Sequence, residues 1–257
     1  KSEEKLAEKN VTYANSLATF VDPHTVSLSP GRGAGGGGAA KNVSARRIVV
    51  AVGGRPTPLV CPGAELAITS DDLFSLPRSP GRTLIVGASY IALECAGFLA
   101  GLGLEVTVLV RSILLRGFDR DIAERIGSDL EDHGVRFVNE VVPQSIESAA
   151  GDAKRVRWGG EDPGDAGEGE FDTVLAAIGR RADTGGLNLD AAGVAAEGNG
   201  KIACRGEQSN VPHIYAIGDV LHGRPELTPV AAQAGKVSFF IYRYILHESC
   251  SQFDSLP

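Results

Sequence analysis

The strongest chemical signal in the sequence is a glycine-led turn, Gly87-Ala88-Ser89-Tyr90-Ile91-Ala92. It fits G-x-G-x-x-[GA] at its first and third positions, with Ser89 in place of the second glycine. Gly87 allows a tight turn, and Ala92 is small enough for a helix to touch a strand. The N–H groups that open the helix, aided by its dipole, can then receive a pyrophosphate. Taken alone, the pattern fits a structural turn without a ligand as well. A dinucleotide fold that reads a free ribose 2′-hydroxyl carries a carboxylate at the end of its second strand. Here that place, 24 positions after Gly87, is taken by Arg111, followed by Ser112 and Arg116. Guanidiniums match a phosphate monoester in charge and shape, so the expected ligand is NADPH rather than NADH. The alternative is a pair of arginines on a solvated loop. Tyr90 and Glu94 are four apart on one helix, where a ring and a carboxylate could cover and orient a nicotinamide. They fit a packed ring and a surface or ion-paired carboxylate equally well.

Periodicity and punctuation supply the elements that must position these groups. Thr83–Val86 reads as a strand, Ala88–Leu102 as an apolar helix and Val106–Val110 as a second strand. Asp119–His133 reads as an amphipathic helix closed by Gly134, and Val135–Asn139 as a third strand. This alternation is the unit of an α/β, doubly wound parallel sheet. Upstream, Ser2–Lys9 reads as a polar helix and Val11–Tyr13 and Thr25–Leu28 as short strands. Gly31–Lys41 is a flexible loop, and Arg47–Val52 a strand buried on both faces that ends at Gly53-Gly54-Arg55-Pro56. Pro56, Pro58 and Pro62 mark a long turn and Asp71–Leu76 a helical turn. Pro77–Gly81 is a linker and candidate domain boundary. Downstream, Gly159–Glu170 reads as an acidic hairpin tip and Phe171–Ile178 as a buried strand ending at Gly179-Arg180-Arg181. Ile214–Ile217 is a strand before Gly218-Asp219, and Pro229–Leu246 a closing helix.

Composition narrows the function classes. The chain of 257 residues is 43% hydrophobic and 22% charged, which excludes wholesale disorder, collagen and coiled coil. No stretch approaches the about 20 consecutive apolar residues of a membrane span. A net charge of -7 argues against nucleic acid or an acidic membrane surface as a partner. Cys61, Cys95, Cys204 and Cys250 are dispersed, with neither C-x-x-C nor metal-ligand spacing, so no metal site is expected and the histidines receive no role. The absence of Met and the abrupt ends suggest a piece of a longer protein.

The segment from Gly87 to Asp119, GASYIALECAGFLAGLGLEVTVLVRSILLRGFD, resembles the NADPH-binding segment of the large animal-type thioredoxin reductases. These are flavoprotein disulfide reductases of the pyridine nucleotide-disulfide oxidoreductase family, related to glutathione reductase. IVVAVGGRP from Ile48 resembles the family's passage from the FAD to the NADPH domain, and FDTVLAAIGR from Phe171 the return. YAIGD from Tyr215 and LTPVAAQAG from Leu227 resemble the second half of the FAD site. The resemblance implies a three-layer, Rossmann-like NADPH domain over residues 76–182, inserted in a partial FAD-binding domain made of residues 1–75 and 183–257.

The resemblance also implies roles. Gly87, Ala88, Ser89 and Ile91 would line the NADPH turn. Tyr90 would be a gate ring and Glu94 would orient the carboxamide. Arg111, Ser112 and Arg116 would hold the 2′-phosphate, and Gly179 and Arg180 would lie near the NADPH entry. Gly53, Gly218, Asp219, Leu227, Thr228 and Pro229 would contact FAD, with Asp219 accepting from a ribityl hydroxyl. Thr228, as N-cap, would bring a helix end to the flavin carbonyl and N1. Glutathione reductases typically have His where Ser112 stands, which points to thioredoxin as the disulfide substrate. Glutathione or thioredoxin-glutathione reductase is the alternative, as is a non-catalytic NADPH-binding module for this chain alone. The first FAD motif, the C-x-x-x-x-C redox pair and the interface domain with its His-Pro shuttle are not in the sequence, so no catalytic residue is assigned. Ala-Val-Gly-Gly at residues 51–54 replaces the usual Ala-Thr-Gly. A homodimeric parent protein is expected, in the cytoplasm or the mitochondrion.

Overall fold

A computed structural model describes residues 2–30 and 39–237. The chain opens with α1 (Ser2–Ala7), β1 (Ser16–Asp22), β2 (Thr25–Pro30), β3 (Lys41–Ser44), β4 (Ile48–Val50) and β5 (Gly54–Pro56). There follow β6 (Ile68–Thr69), α2 (Ser70–Leu73), β7 (Thr83–Val86), α3 (Tyr90–Gly101), β8 (Val106–Val110), α4 (Arg120–Asp132) and β9 (Val135–Asn139). The rest comprises β10 (Val142–Ser148), β11 (Lys154–Gly159), β12 (Gly167–Phe171), β13 (Thr173–Ala176), β14 (Arg180–Ala182) and β15 (Ile214–Ala216), then α5 over residues 228–237. The loop expected at Gly31–Lys41 lies largely outside the described residues, as do Cys250 and the helix expected beyond residue 237.

Two compact units result. One joins residues 1–55 with 181–257, and the other is residues 56–180. The second unit begins upstream of the expected start at residue 76 because the intervening chain packs into it. Leu59 is buried, Cys61, Ala64 and Leu66 lie against the same cluster, and Ile68 pairs with Leu175.

In the 56–180 unit a parallel sheet has the order β6-β13-β7-β8-β9. Successive residues of its strands feed opposite cores, as a period of two requires. Ile85, Val106, Val108, Val110 and Leu175 face a cluster with Leu93, Ala96 and Leu99 of α3 and Ala123 and Leu130 of α4. Leu84, Val86, Leu109, Val174 and Ala176 face a cluster with Ile146, Val156, Trp158 and Phe171. Three layers form, but β10, β11 and β12 cover the second face as an antiparallel meander, where a doubly wound sheet has helices. Five of the twelve residues of the expected acidic tip, Gly159 and residues 167–170, are therefore strand. Glu168 and Glu170 in β12 pair with Arg157 and Arg155 of β11 on the solvent face. The expected 171–178 strand is divided at Asp172, whose carboxylate takes three bonds from Arg82.

In the other unit β1, β2 and β3 form an antiparallel sheet and β4 pairs with β15 in parallel. Phe20, Val50, Leu189, Ile202, Ile214 and Val220 centre its core. Two sequence expectations fail here. Residues 11–13 form no strand, because the Val11 N–H closes α1 on the Leu6 carbonyl and leaves Val11 and Tyr13 exposed. The 47–52 run is covered on one face only: Val50 is buried and Val49 is 54% exposed.

Candidate nucleotide-binding site

The strands β7 and β13 run side by side, with Val86 opposite Ala176, and the sheet order reverses between them. Ligands of open α/β sheets bind at the carboxyl ends of strands at such a reversal. The Gly87 turn stands there. Its φ is +117°, and a Cβ would come within 2.4 Å of the Ala177 carbonyl oxygen, so the position admits only glycine. The Gly87 N–H donates to Leu109 across the sheet.

Ser89 replaces the motif's second glycine without opening the turn. Its Oγ donates to the Ala177 carbonyl at 3.0 Å and accepts from the Ala92 N–H at 3.4 Å, which makes it the N-cap of α3. One hydroxyl thus fixes the helix start to the next strand. Ala92 is fully buried at the helix–strand contact. The twelve-residue α3 presents its first-turn N–H groups and dipole at this turn. Tyr90 and Glu94 share one exposed face of α3, as their spacing requires.

The loop after β8 carries Arg111, Ser112 and Arg116, all exposed. Arg116 Nη2 donates to Ser112 Oγ at 2.7 Å. The Leu115 N–H donates to the Ala88 carbonyl at 2.9 Å, tying this loop to the glycine turn. The two groups of residues singled out by sequence are therefore held together by the fold. Gly179, with φ +132°, and Arg180 follow β13 at the same end of the sheet. A cavity of about 420 Å³ opens at the opposite, amino end of the strands, between Leu66, Ile68, Leu76 and Val174, and holds none of these groups.

The 1–55/181–257 unit has a second constellation. Gly53 and Gly218, with φ +68° and +76°, follow the carboxyl ends of the parallel pair β4 and β15. Gly218 lies against Ala231 and Gly235 against Ile217, so α5 starts beside this turn and beside half-buried Asp219. Lys201 and Glu226 form an ion pair just before α5. The expected capping is shifted by one residue. The Leu227 carbonyl accepts from the Ala231 N–H, so Leu227 is the cap and Thr228 and Pro229 are the first helical residues, all three exposed.

Burial pushes the thiols of Cys61, Cys204 and Cys95 up, the last to about 11, with Glu94 adding to the shift at Cys95. No described cysteine is paired or activated as thiolate. Among the described residues no cluster of His, Cys, Asp and Glu could hold a metal ion, and no helix is long and apolar enough to cross a membrane.

Sequence reasoning missed the two roles of Ser89, although serine's preference for helix N-caps was a usable signal. It also missed the tie from Leu115 to Ala88, for which no local signal exists.

Similarity to known proteins agrees with this geometry. Residues 1–235 match the family model described as pyridine nucleotide-disulphide oxidoreductase. The chain is 48% identical over 241 residues to thioredoxin reductase SEP1 of Emiliania huxleyi, covering 90% of this chain and 48% of that protein. It is 48% identical over 233 residues to mitochondrial thioredoxin reductase 2 of Drosophila melanogaster, covering 90% of this chain and 44% of the other. The chain thus spans about half the length of these curated relatives. Its fold is similar to that of the HOCl-induced flavoprotein disulfide reductase RclA of Escherichia coli, solved as a Cu(II) complex. That match has a TM-score of 0.78 at 24% identity and covers 89% of this chain and 50% of the other. With a Rossmann-like sheet, a glycine turn at its reversal point and a family match over residues 1–235, the chain belongs to the pyridine nucleotide-disulphide oxidoreductase family.

Proposed function

We propose that this chain is the nucleotide-binding portion of an NADPH-dependent flavoprotein disulfide reductase whose substrate is thioredoxin. The observation that carries the NADPH assignment is the Arg116–Ser112 contact at 2.7 Å on a loop tied to the Ala88 carbonyl. Two guanidiniums and a hydroxyl, all donors, suit a dianionic phosphate monoester. A carboxylate suited to a bare ribose is not among them. The nicotinamide nucleotide and the flavin supply hydride transfer when bound. This chain's residues do the rest. The Gly87–Ile91 turn and the start of α3 bind pyrophosphate. Tyr90 covers the nicotinamide and Glu94 orients its carboxamide. Arg111, Ser112 and Arg116 select the 2′-phosphate, and Gly179 and Arg180 border the entry.

The second constellation fits part of an FAD site. Gly53 and Gly218 allow close backbone approach at the ends of β4 and β15, and Asp219 can accept from a ribityl hydroxyl. The Leu227–Pro229 start of α5 directs a helix dipole that favours negative charge on a flavin. The NADPH domain then lies within the 56–180 unit, and residues 1–55 and 181–257 belong to the FAD domain. The thioredoxin reductase names of both relatives favour thioredoxin over glutathione, as Ser112 does. The net charge of -7 suits neither nucleic acid nor an acidic membrane. The parent protein is a homodimer of the cytoplasm or, as the name of the fly relative suggests, the mitochondrion.

Titration of the chain with NADPH and NADH tests the reading. NADPH binds more tightly, and Arg111→Ala and Arg116→Ala each weaken NADPH by about 1.5–3 kcal/mol while sparing NADH. Equal affinity of the unmodified chain for both nucleotides overturns it.

A further inference from the structure

The arginine loop needs a support, because Arg111, Ser112 and Arg116 are exposed and Leu115 has φ +46°, a conformation leucine seldom adopts. Three contacts provide it. The Leu115 side chain is buried, and its N–H holds the Ala88 carbonyl. The Leu114 side chain fills a notch over Gly127 of α4, where an added Cβ would stand 2.5 Å from Leu114 Cδ1. The third is Arg120, the first residue of α4, whose Nη1 donates to the Leu114 carbonyl at 2.7 Å. A cation in the first turn of a helix opposes the dipole, so helix stability does not account for arginine there. Its half-buried, charge-assisted bond to the loop does.

We propose that Arg120 is a positioning residue for dinucleotide selectivity, which holds the Leu114 carbonyl so that Arg111, Ser112 and Arg116 converge on a ribose 2′-phosphate. The inference rests on the 2′-phosphate reading above. Arg120 bonds to the Leu114 backbone carbonyl. It acts through the backbone of residues 114–116, which carries Arg116 to Ser112. Without the clamp, the loop must be ordered on binding, and that cost falls on the 2′-phosphate contacts alone.

The test is titration of the chain and its variants with NADPH and with NADH, alongside a thermal melt of each. Arg120→Gln and Arg120→Ala both suit a helix, and both remove the guanidinium that bonds the Leu114 carbonyl. Arg125→Ala, exposed on the same helix, controls for loss of one positive charge. We expect both Arg120 variants to weaken NADPH about 3- to 10-fold and NADH by less than about twofold. Arg125→Ala changes neither by more than about twofold. Equal weakening of both nucleotides, or Arg120 variants that match Arg125→Ala, overturns the inference. If Arg111→Ala abolishes the preference for NADPH while the Arg120 variants keep it, Arg120 alone is misassigned. If the unmodified chain shows no preference, the 2′-phosphate reading fails with it.

Discussion

Both units place glycines of positive φ beyond the carboxyl ends of paired parallel strands, but they need those glycines for different reasons. At Gly87 the Ala177 carbonyl stands where a side chain would begin, so strand, turn and next strand are in direct contact. At Gly53 nothing lies within 4 Å of an added Cβ, and at Gly218 the nearest atom is a methyl at 3.3 Å. Only backbone conformation calls for glycine there. The difference follows from what surrounds each turn. The 56–180 sheet is five strands wide and covered on both faces, whereas β4 and β15 make a two-stranded ribbon. A wide, doubly covered sheet leaves no play at its reversal point, so the Gly87 turn is sterically preset.

Substitution at the glycines separates the two cases. Gly87→Ala should cost about 2–5 kcal/mol in thermal or denaturant unfolding and abolish dinucleotide binding, since clash and strain add. Gly53→Ala and Gly218→Ala should cost only about 1–2 kcal/mol, the conformational penalty of a left-handed alanine. Equal costs at Gly87 and Gly53 would remove the distinction. Ser89→Ala should cost about 1 kcal/mol through loss of the α3 cap, and Ser89→Gly, which restores the motif glycine, a few tenths.

A small, pH-dependent effect is expected at Asp172, at the amino end of β13 and away from both turns. Its side-chain bonds to Arg82 hold its carboxyl below the ordinary value of 3.8. Its contribution is therefore complete above that value and disappears as pH falls through the lower folded-state value. The pair is half-exposed, so Asp172→Asn should cost less than about 1 kcal/mol near neutral pH. The deficit relative to wild type should vanish in acid, which thermal melts across pH will show.

How much of this was legible in the sequence depends on burial. β7, β8 and β9 were readable residue for residue: β7 and β8 are almost wholly buried runs of apolar and β-branched residues, and β9 begins directly after Gly134, which closes α4. The meander was not. In β11 exposed Arg155 and Arg157 alternate with buried Val156 and Trp158, and short alternation among charges and glycines leaves a weak signal. β1 was missed for the same reason, since of its residues only Phe20 is buried. At the candidate site, the residue types at Gly87, Arg111 and Arg116 raised the expectation of a 2′-phosphorylated dinucleotide. The means of holding them together did not appear, because a backbone bond from Leu115 to Ala88 depends on tertiary contact and on a left-handed leucine that no local pattern marks.

If the proposed function is right, the carboxyl end of the 56–180 sheet is a preset site for a 2′-phosphorylated dinucleotide. A crystal structure of the chain grown with NADPH tests it most directly. The pyrophosphate should lie over residues 87–91 at the start of α3, with the 2′-phosphate bonded to Arg111, Ser112 and Arg116. The Gly87 and Leu115 backbones should stay where they stand now. A nucleotide bound elsewhere, or one whose 2′-phosphate points to solvent away from both arginines, would contradict it.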